Sequence, residues 1–166
     1  KWIGSIRIMK TDNVPEDQKI ALARSPGLRF SDGIALERES DNVKTYYQSI
    51  SRWGRVAVGG NNQRANLRGV SPETMALDTD NIVLIMGRHL TPQDYQSGER
   101  VCVIAWDVYD DLVRRLRIQG KDSTEVLNQN VVYQATRFRI VGVLGPKDPD
   151  FKPWHLRRSV TVPLVA

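Results

Sequence analysis

Apolar and polar positions along the chain form short blocks, each with the period of a strand or of a short helix. The apolar run Ile82–Met86 ends at Gly87, and a second run, Val101–Trp106, leads directly into Asp107. Both runs have the length of buried strands. Beyond Asp107, which we expect to cap a helix, apolar residues recur at the spacing of one helix face: Val108, Leu112, Val113 and Leu116. The pattern therefore predicts a strand, a second strand and then an amphipathic helix.

Two Ser/Thr-Pro pairs carry the features of helix N-termini. Ser71 precedes Pro72 and Thr91 precedes Pro92, so each proline follows a capping side chain and suits the first helical position. Asp94 stands where its carboxylate reaches back to the start of the helix, as in a capping box. We therefore expect a short helix after each pair.

The remaining patterns predict two further helices and several strands. Pro15–Arg24 forms a helix that Ser25-Pro26-Gly27 ends, and another helix begins at Ser31-Asp32. Strand-like alternation or β-rich composition covers Trp2–Met9, Val43–Arg52, Arg55–Val58, Gln63–Val70, Glu125–Gln134, Ala135–Leu144 and Ser159–Val162.

Turn residues connect two of these strands. The segment Gly59-Gly60-Asn61-Asn62 tolerates positive φ and predicts a β-hairpin turn, not a phosphate loop. In the strand that ends at Leu144, we expect Phe138, Ile140 and Leu144 to share one face. Strands interspersed with short helices predict an α+β fold with mixed or mostly antiparallel sheets.

Composition is that of an ordinary globular domain, with 166 residues, 40% hydrophobic and 26% charged. No apolar run approaches the roughly 18 residues that cross a bilayer. The first residues, Lys1–Ser5, lack both an initiator methionine and the apolar core of a signal peptide, which suggests an excised or processed chain.

A formal charge of +5 permits attraction to nucleic acid, anionic lipid or an acidic partner. The basic residues are scattered, with local pairs only at Arg114-Arg115 and Arg157-Arg158, which favours a solvated basic surface. A basic α/β nucleic-acid-binding module is the alternative function, motivated by this charge and by Arg137-Phe138-Arg139. An enzyme of unrecognised class is a further alternative that no residue specifically favours.

No motif assigns catalysis, a cofactor or a metal. Phosphate-loop, dinucleotide-binding, nucleophile-elbow and zinc-protease patterns are absent from the sequence. His89 and His155 lack partners at ligand spacing, and Asp78-Thr79-Asp80-Asn81 lacks the glycine and distal glutamate of a calcium loop. Cys102, between two valines, is expected to be a small buried hydrophobe. We therefore expect no catalytic, cofactor-binding or metal-binding residues.

Aromatic residues beside glycine and proline are the candidate partner contacts. Trp53 adjoins Gly54, while Phe151, Trp154 and His155 lie in a proline-rich loop. One interpretation is that they anchor loops against the core. The other is a partner-binding patch, since aromatic residues carry much of the binding energy at interfaces.

Several short motifs occur in a fixed order. They are Gly69–Pro72, Gly87-Arg88, Thr91 with Asp94, Gly98–Ile104, Phe138–Val143 and Val162-Pro163-Leu164. This order resembles the periplasmic core domain of MacB-type ABC transporter permeases, within the FtsX-like permease family. The resemblance extends over residues 67–164 and is strongest as an ordered set, because no single motif is specific.

The resemblance implies a non-catalytic extracytoplasmic domain with two lobes, 1–70 (Porter-like) and 71–166 (Sabre-like). In that family, chain that follows the second lobe completes the first. The resemblance also implies that transmembrane helices outside this sequence anchor the domain at the inner or cytoplasmic membrane, and that its conformational change couples ATP hydrolysis to cargo export or envelope signalling. The implied partners are a second permease copy in a homodimer, a cytoplasmic ATPase and a membrane-fusion adaptor protein; no nucleic acid is expected.

Overall fold

The computed structural model of the chain describes residues 8–9, 14–43, 46–74, 81–116, 123–127, 129–148, 150 and 156–164. The chain divides into two compact units, Lys1–Tyr46 and Tyr47–Ala166. The lobe boundary near residue 70 stays a prediction, because it concerns the family's division of its full-length domain and not these two units.

The first unit contains short helices. A 3-10 helix, Glu16–Gln18, runs into helix α1, Lys19–Arg24, and helix α2 spans Phe30–Glu39. Both lie where the sequence predicts helices. At the start of α2, the Asp32 carboxylate accepts a hydrogen bond from the Arg29 backbone N–H at 2.7 Å, which satisfies one of the unpaired N–H groups at a helix start. The predicted opening strand lies almost entirely outside the described residues.

The second unit is built around β-strands. The strands are β1 (Ser49–Val58), β2 (Asn61–Val70), β3 (Ile82–Gly87), β4 (Val101–Ala105), β5 (Asn130–Tyr133), β6 (Thr136–Pro146) and β7 (Ser159–Pro163). The helices are α3 (Pro92–Ser97), α4 (Trp106–Leu116) and α5 (Ser123–Leu127).

Strands β1 and β2 form the predicted hairpin, but its turn has two residues, because Asn61 and Asn62, which were predicted in the turn, belong to β2. Their antiparallel register runs from Ser49 opposite Val70 to Val58 opposite Asn61. The connecting residues Gly59 and Gly60 have φ values of 55° and 81°. Two consecutive positive φ values characterise the tight hairpin turn that matches strand twist, and glycine adopts them without a steric penalty.

The strands of the second unit form a closed ring of hydrogen-bonded neighbours. The order is β6, β4, β7, β2, β1 and β5, and β5 pairs back onto β6; β3 pairs with the C-terminal half of β6. The β4–β6 and β2–β7 pairings are parallel, and the other pairings between the described strands are antiparallel. The predicted α+β fold with a mixed sheet is thereby confirmed.

Two hydrophobic clusters lie on opposite faces of the sheet. Strand β4 gives Cys102 and Ile104 to the first cluster and Val101 and Val103 to the second, as the alternation of a strand requires. Helices α4 and α5 add three buried residues to the first cluster: Val108, Leu112 and Val126. The predicted amphipathic face of α4 therefore packs on the core.

A bulge in β6 moves Leu144 off its predicted face. Along the β4–β6 pairing the register shifts between Cys102 and Val103, which leaves Val141 as an extra residue in β6. Because an extra residue reverses the alternation beyond it, Ile140 packs in the first cluster and Leu144 in the second. The prediction that these two residues share a face was wrong.

The segment predicted as a strand over Glu125–Gln134 begins as a helix. Helix α5 ends at Leu127, and β5 starts only at Asn130. The Val126 side chain is 0% exposed within the first cluster. Burial of this side chain outweighs the preference of valine for strands, which depends strongly on context.

Other predicted boundaries also shift. Strand β1 starts at Ser49, within the segment predicted as a strand from Val43. Trp106 is the first residue of α4 and not the last of a strand, so Asp107 lies in the first helical turn instead of at the cap. Its carboxylate still accepts the Val108 N–H, at 3.0 Å. A helix start therefore remains near the predicted position.

Candidate functional site

The Gly87-Arg88 motif lies at the end of β3, where its backbone closely approaches β6. Gly87 has a φ of 74°, and a Cβ there would clash with the Val141 carbonyl oxygen. The Arg88 N–H donates to that same oxygen at 2.8 Å. A Cβ on Gly142 would clash with the Arg88 carbonyl oxygen. Both glycines are needed because the two backbones approach too closely for side chains between them.

Asp94, in the first turn of helix α3, connects that helix to the end of β3. Its side chain is 3% exposed and accepts two hydrogen bonds from the Arg88 guanidinium, at 2.6 and 2.9 Å. It also accepts the Thr91 N–H at 2.7 Å and the Thr91 hydroxyl at 3.0 Å. The predicted capping contact is thereby confirmed, and a bidentate ion pair reinforces it. We call Arg88, Thr91 and Asp94 the corner lock.

The corner lock keeps Asp94 ionised. Hydrogen bonding from Arg88 lowers the pKa of the Asp94 carboxyl from 3.8 to about 2; burial opposes this change and the Thr91 donors assist it. The same hydrogen bond raises the pKa of the Arg88 guanidinium. The pair therefore carries full opposite charges near neutral pH and holds the end of β3 against the start of α3.

Asp107 and Arg158 form a second polar connection, between α4 and the start of β7. Both oxygens of the Asp107 carboxylate accept the Arg158 backbone N–H, at 3.0 and 2.9 Å. Arg158 adopts a φ of 52°, and its guanidinium donates to the Arg64 carbonyl oxygen of β2 at 2.8 Å. We call Asp107 and Arg158 the helix lock, because they join α4 to two strands.

Trp53 is the predicted partner-contact residue that the structure describes. Its side chain is 51% exposed on β1, and the Arg64 guanidinium carbon lies 5.5 Å from the centre of its ring, a cation–π contact. The other predicted contacts, Phe151, Trp154 and His155, lie outside the described residues. The candidate contact surface in the described part of the chain is therefore Trp53 with its neighbours on the hairpin.

The sequence around Trp53 is basic. Residues 43–72 contain no Asp or Glu but several basic residues, which are Lys44, Arg52, Arg55, Arg64 and Arg68. Arg55 and Arg64 lie directly opposite each other in the β1–β2 register and share the sheet face of Trp53. Within the described ranges, no carboxylate forms an ion pair with Arg55 or Arg64. We call Trp53, Arg55 and Arg64 the basic face.

The Trp53–Arg64 contact and the helix lock were not predicted. The contact has a signal in the sequence, because a two-residue turn after Val58 places Trp53 opposite Asn66 and diagonal to Arg64. The helix lock joins residues 51 positions apart and depends on how β7 packs beside β2. No local pattern indicates it.

The described candidate residues do not support catalysis by a nucleophile or by a metal ion. In the part of the chain that the structure describes, no three His, Cys, Asp or Glu side chains are placed to hold a metal ion. Cys102 is 0% exposed, as predicted, and burial raises the pKa of its thiol, which disfavours the reactive thiolate. None of the described helices is long and apolar enough to cross a membrane.

The sequence model of MacB-like periplasmic core domains matches residues 4–166. The chain belongs to this family. The resemblance inferred from the ordered motifs is thereby confirmed, and the chain is a MacB-like extracytoplasmic domain. Two of those motifs, Gly87-Arg88 and Thr91 with Asp94, contain the corner lock, so their role here is to build the fold.

Solved structures share the fold of this MacB-like domain. The periplasmic region of MacB from Actinobacillus actinomycetemcomitans aligns with a TM-score of 0.62 and 20% identity, over 84% of this chain and 56% of that one. The extracellular domain of the noncanonic ABC-type transporter YknZ from Gram-positive bacteria aligns with a TM-score of 0.64 and 21% identity, over 90% and 68%. The domain thus spans just over half of the MacB region. Among curated proteins, none matches the chain.

Proposed function

We propose that this domain is the non-catalytic extracytoplasmic part of an ABC transporter permease. It couples ATP hydrolysis in a separate cytoplasmic domain or subunit to cargo export or envelope signalling by changing conformation. The observation that carries the proposal is the family match over residues 4–166. Transmembrane helices of the full-length permease hold the domain at the periplasmic or external face of the membrane.

The construction of the unit Tyr47–Ala166 suits such coupling. Its strands close into a ring, and the corner lock and helix lock fasten α3 and α4 to that ring through buried or charge-assisted hydrogen bonds. Close-packed interiors deform little and transmit displacement. A movement imposed at one side of this unit therefore reaches its other surfaces as a rigid-body change, one of the common forms of conformational switching.

The partners in this proposal are a second copy of the permease, the cytoplasmic ATPase and a membrane-fusion adaptor. The proposed contact residues are Trp53, Phe151, Trp154 and His155. For Trp53 the support is its 51% exposure beside Arg64, since a large exposed aromatic ring flanked by polar groups suits an interface anchor.

A distance measurement in the full-length permease tests the coupling. Spin labels at Glu37 of α2 and Asn62 of β2, both exposed, report the separation of the two units by double electron–electron resonance. A single label at Asn62 reports the separation of the two copies in a homodimer. Buried Cys102 does not compete for the label. We expect at least one of these distance distributions to change between nucleotide-free and ATP-bound states.

The control pair is Asn62 with Gln96, two exposed positions within the unit Tyr47–Ala166. Their distance should stay constant, because both belong to one packed unit. If neither the separation of the units nor that of the copies changes while the permease hydrolyses ATP, the domain does not take part in coupling and the proposal fails.

A further inference from the structure

Among the residues that the structure describes, strand β1 has a second strand along only one of its two backbone edges over most of its length, and we call the other its open edge. Strand β1 pairs with β2 over Ser49–Val58, but its pairing with β5 is confined to Ala57 and Val58. Within the described residues, Ser49–Val56 therefore pair with a strand on one side only. Such an edge presents N–H and C=O groups that another extended chain can use for strand addition.

A hydrogen bond at the end of the hairpin determines which groups face the open edge. The Ser71 N–H donates to the Gln48 carbonyl oxygen at 2.9 Å, and the Gln48 N–H donates to the Ser71 hydroxyl at 3.1 Å, so residues 48 and 71 face each other as a hydrogen-bonded position of the ladder. Hydrogen-bonded and non-hydrogen-bonded pairs alternate along an antiparallel ladder. The N–H and C=O groups that point away from β2 are therefore those of Ser49, Ser51, Trp53 and Arg55.

The residues of the open edge also carry the basic face. Trp53 and Arg55 have outward-pointing backbone groups, and their side chains lie on the same face as Arg64. An added strand would place every second side chain beside Trp53 and Arg55, while Arg64, on β2, lies one strand further away, at about 10 Å. Because Arg55 and Arg64 are like charges in directly opposite positions, an anionic group beside Arg55 compensates their repulsion.

We propose that the open edge of β1 binds an extended acidic segment of a partner polypeptide, which adds as a strand and places carboxylates against Arg55, on the face that Arg64 shares. This inference extends the proposed contact at Trp53 and does not depend on coupling to ATP hydrolysis.

Charge and exposure identify this occupant. A second copy of the chain would bring two sets of the same cations together, whereas an acidic segment compensates them. An alternative is that the cations at this edge serve only to prevent aggregation with other strands. That role does not explain the exposed apolar side chains of the same strand, which are Trp53, 51% exposed on one face, and Ile50, 64% exposed on the other. A strand edge also suits an extended polypeptide better than a lipid surface, which offers no matching backbone ladder.

The test measures fluorescence anisotropy of labelled peptides of about twelve residues, long enough to span the edge, added to the whole chain. One probe alternates Asp with Val, and the other alternates Lys with Val. We expect the acidic peptide to bind and its affinity to fall with added salt, while the basic peptide does not bind. Ser51→Pro removes one outward N–H and should weaken binding about tenfold or more, whereas Ser51→Ala keeps that N–H and should bind as wild type.

A charge exchange keeps the test decisive even if Ser51→Pro does not fold. Arg55→Glu should lose the acidic peptide and gain the basic one. Absence of binding by the acidic peptide, equal binding of both peptides, or a folded Ser51→Pro variant with full affinity would overturn the proposal. Tighter binding of single-stranded oligothymidylate, unaffected by Ser51→Pro, would show a nucleic-acid site on the basic face instead. The spin-label experiment has no bearing on these outcomes, so the two proposals fail independently.

Discussion

Replacing Asp94 with asparagine tests the corner lock directly. The folded domain lowers the pKa of this carboxyl from 3.8 to about 2. At about 1.36 kcal/mol per pKa unit, this corresponds to about 2 kcal/mol of preferential stabilisation of the ionised folded state. Asparagine keeps an acceptor for the Thr91 N–H but removes the charge and one acceptor for Arg88. Asp94→Asn should therefore lower the free energy of unfolding by about 2 kcal/mol at neutral pH.

The pH dependence of this effect has a definite sign. The pKa of Asp94 is lower in the folded than in the unfolded chain, so its contribution is complete above the unfolded value of 3.8 and is lost as the pH falls towards about 2. At about pH 3, linkage gives a loss of about 1 kcal/mol. The gap in the free energy of unfolding between wild type and Asp94→Asn should therefore be about 1 kcal/mol smaller at about pH 3 than at neutral pH.

Urea unfolding at the two pH values, followed by circular dichroism, measures this gap. Glu99→Gln is the matched control, because the Glu99 carboxylate is half-exposed and lies 3.4 Å from Arg139. It should change the free energy of unfolding by less than about 1 kcal/mol at either pH. A gap that is absent at neutral pH, or one that keeps its full size in acid, would refute the electrostatic account of the corner lock.

Three further predictions concern other positions of the fold. In urea unfolding, Gly87→Ala should lower the free energy of unfolding by more than about 2 kcal/mol, because its Cβ would clash with a backbone carbonyl oxygen. The control Gly60→Ala, at positive φ in open space, should lower it by only about 1 kcal/mol. Equal losses of stability in the two variants would contradict this prediction. Asp107→Ala should lower the free energy of unfolding by about 1–3 kcal/mol and accelerate hydrogen exchange of the Arg158 amide, which loses its acceptor. An unchanged exchange rate would show that the helix lock does not hold this amide. Cys102 should resist a thiol reagent in the native protein and react fully in urea, since it is 0% exposed; rapid native labelling would contradict its burial.

Features encoded within a few residues were predictable from the sequence. The start of α3 was predicted because Thr91, Pro92 and Asp94 each satisfy a need of the first helical turn. The β1–β2 hairpin was predicted because its glycines permit the positive φ values of the turn. In both places the local preference agrees with the global fold, which is the usual condition for a correct sequence-based prediction.

Features that depend on distant segments were not predictable in the same way. The ring closes because β5 pairs with both β1 and β6, and α5 forms because Val126 fills the core between distant strands. The period of a short apolar segment does not separate a helix turn from a strand. Of the candidate contact surface in the described residues, only Trp53 was predicted. That Arg55 lies opposite Arg64 becomes apparent only once the hairpin register is known.

The wrongly assigned face of Leu144 and the Gly87-Arg88 motif have one physical origin. The extra residue in β6 is Val141, and its carbonyl oxygen accepts the Arg88 N–H just after β3 ends. In a regular strand Ile140 and Leu144, four residues apart, would lie on one face. The bulge reverses the alternation after Val141, so that Ile140 and Val143 join the first cluster and Leu144 joins the second. The break in periodicity therefore lies where the backbone of the corner lock meets β6.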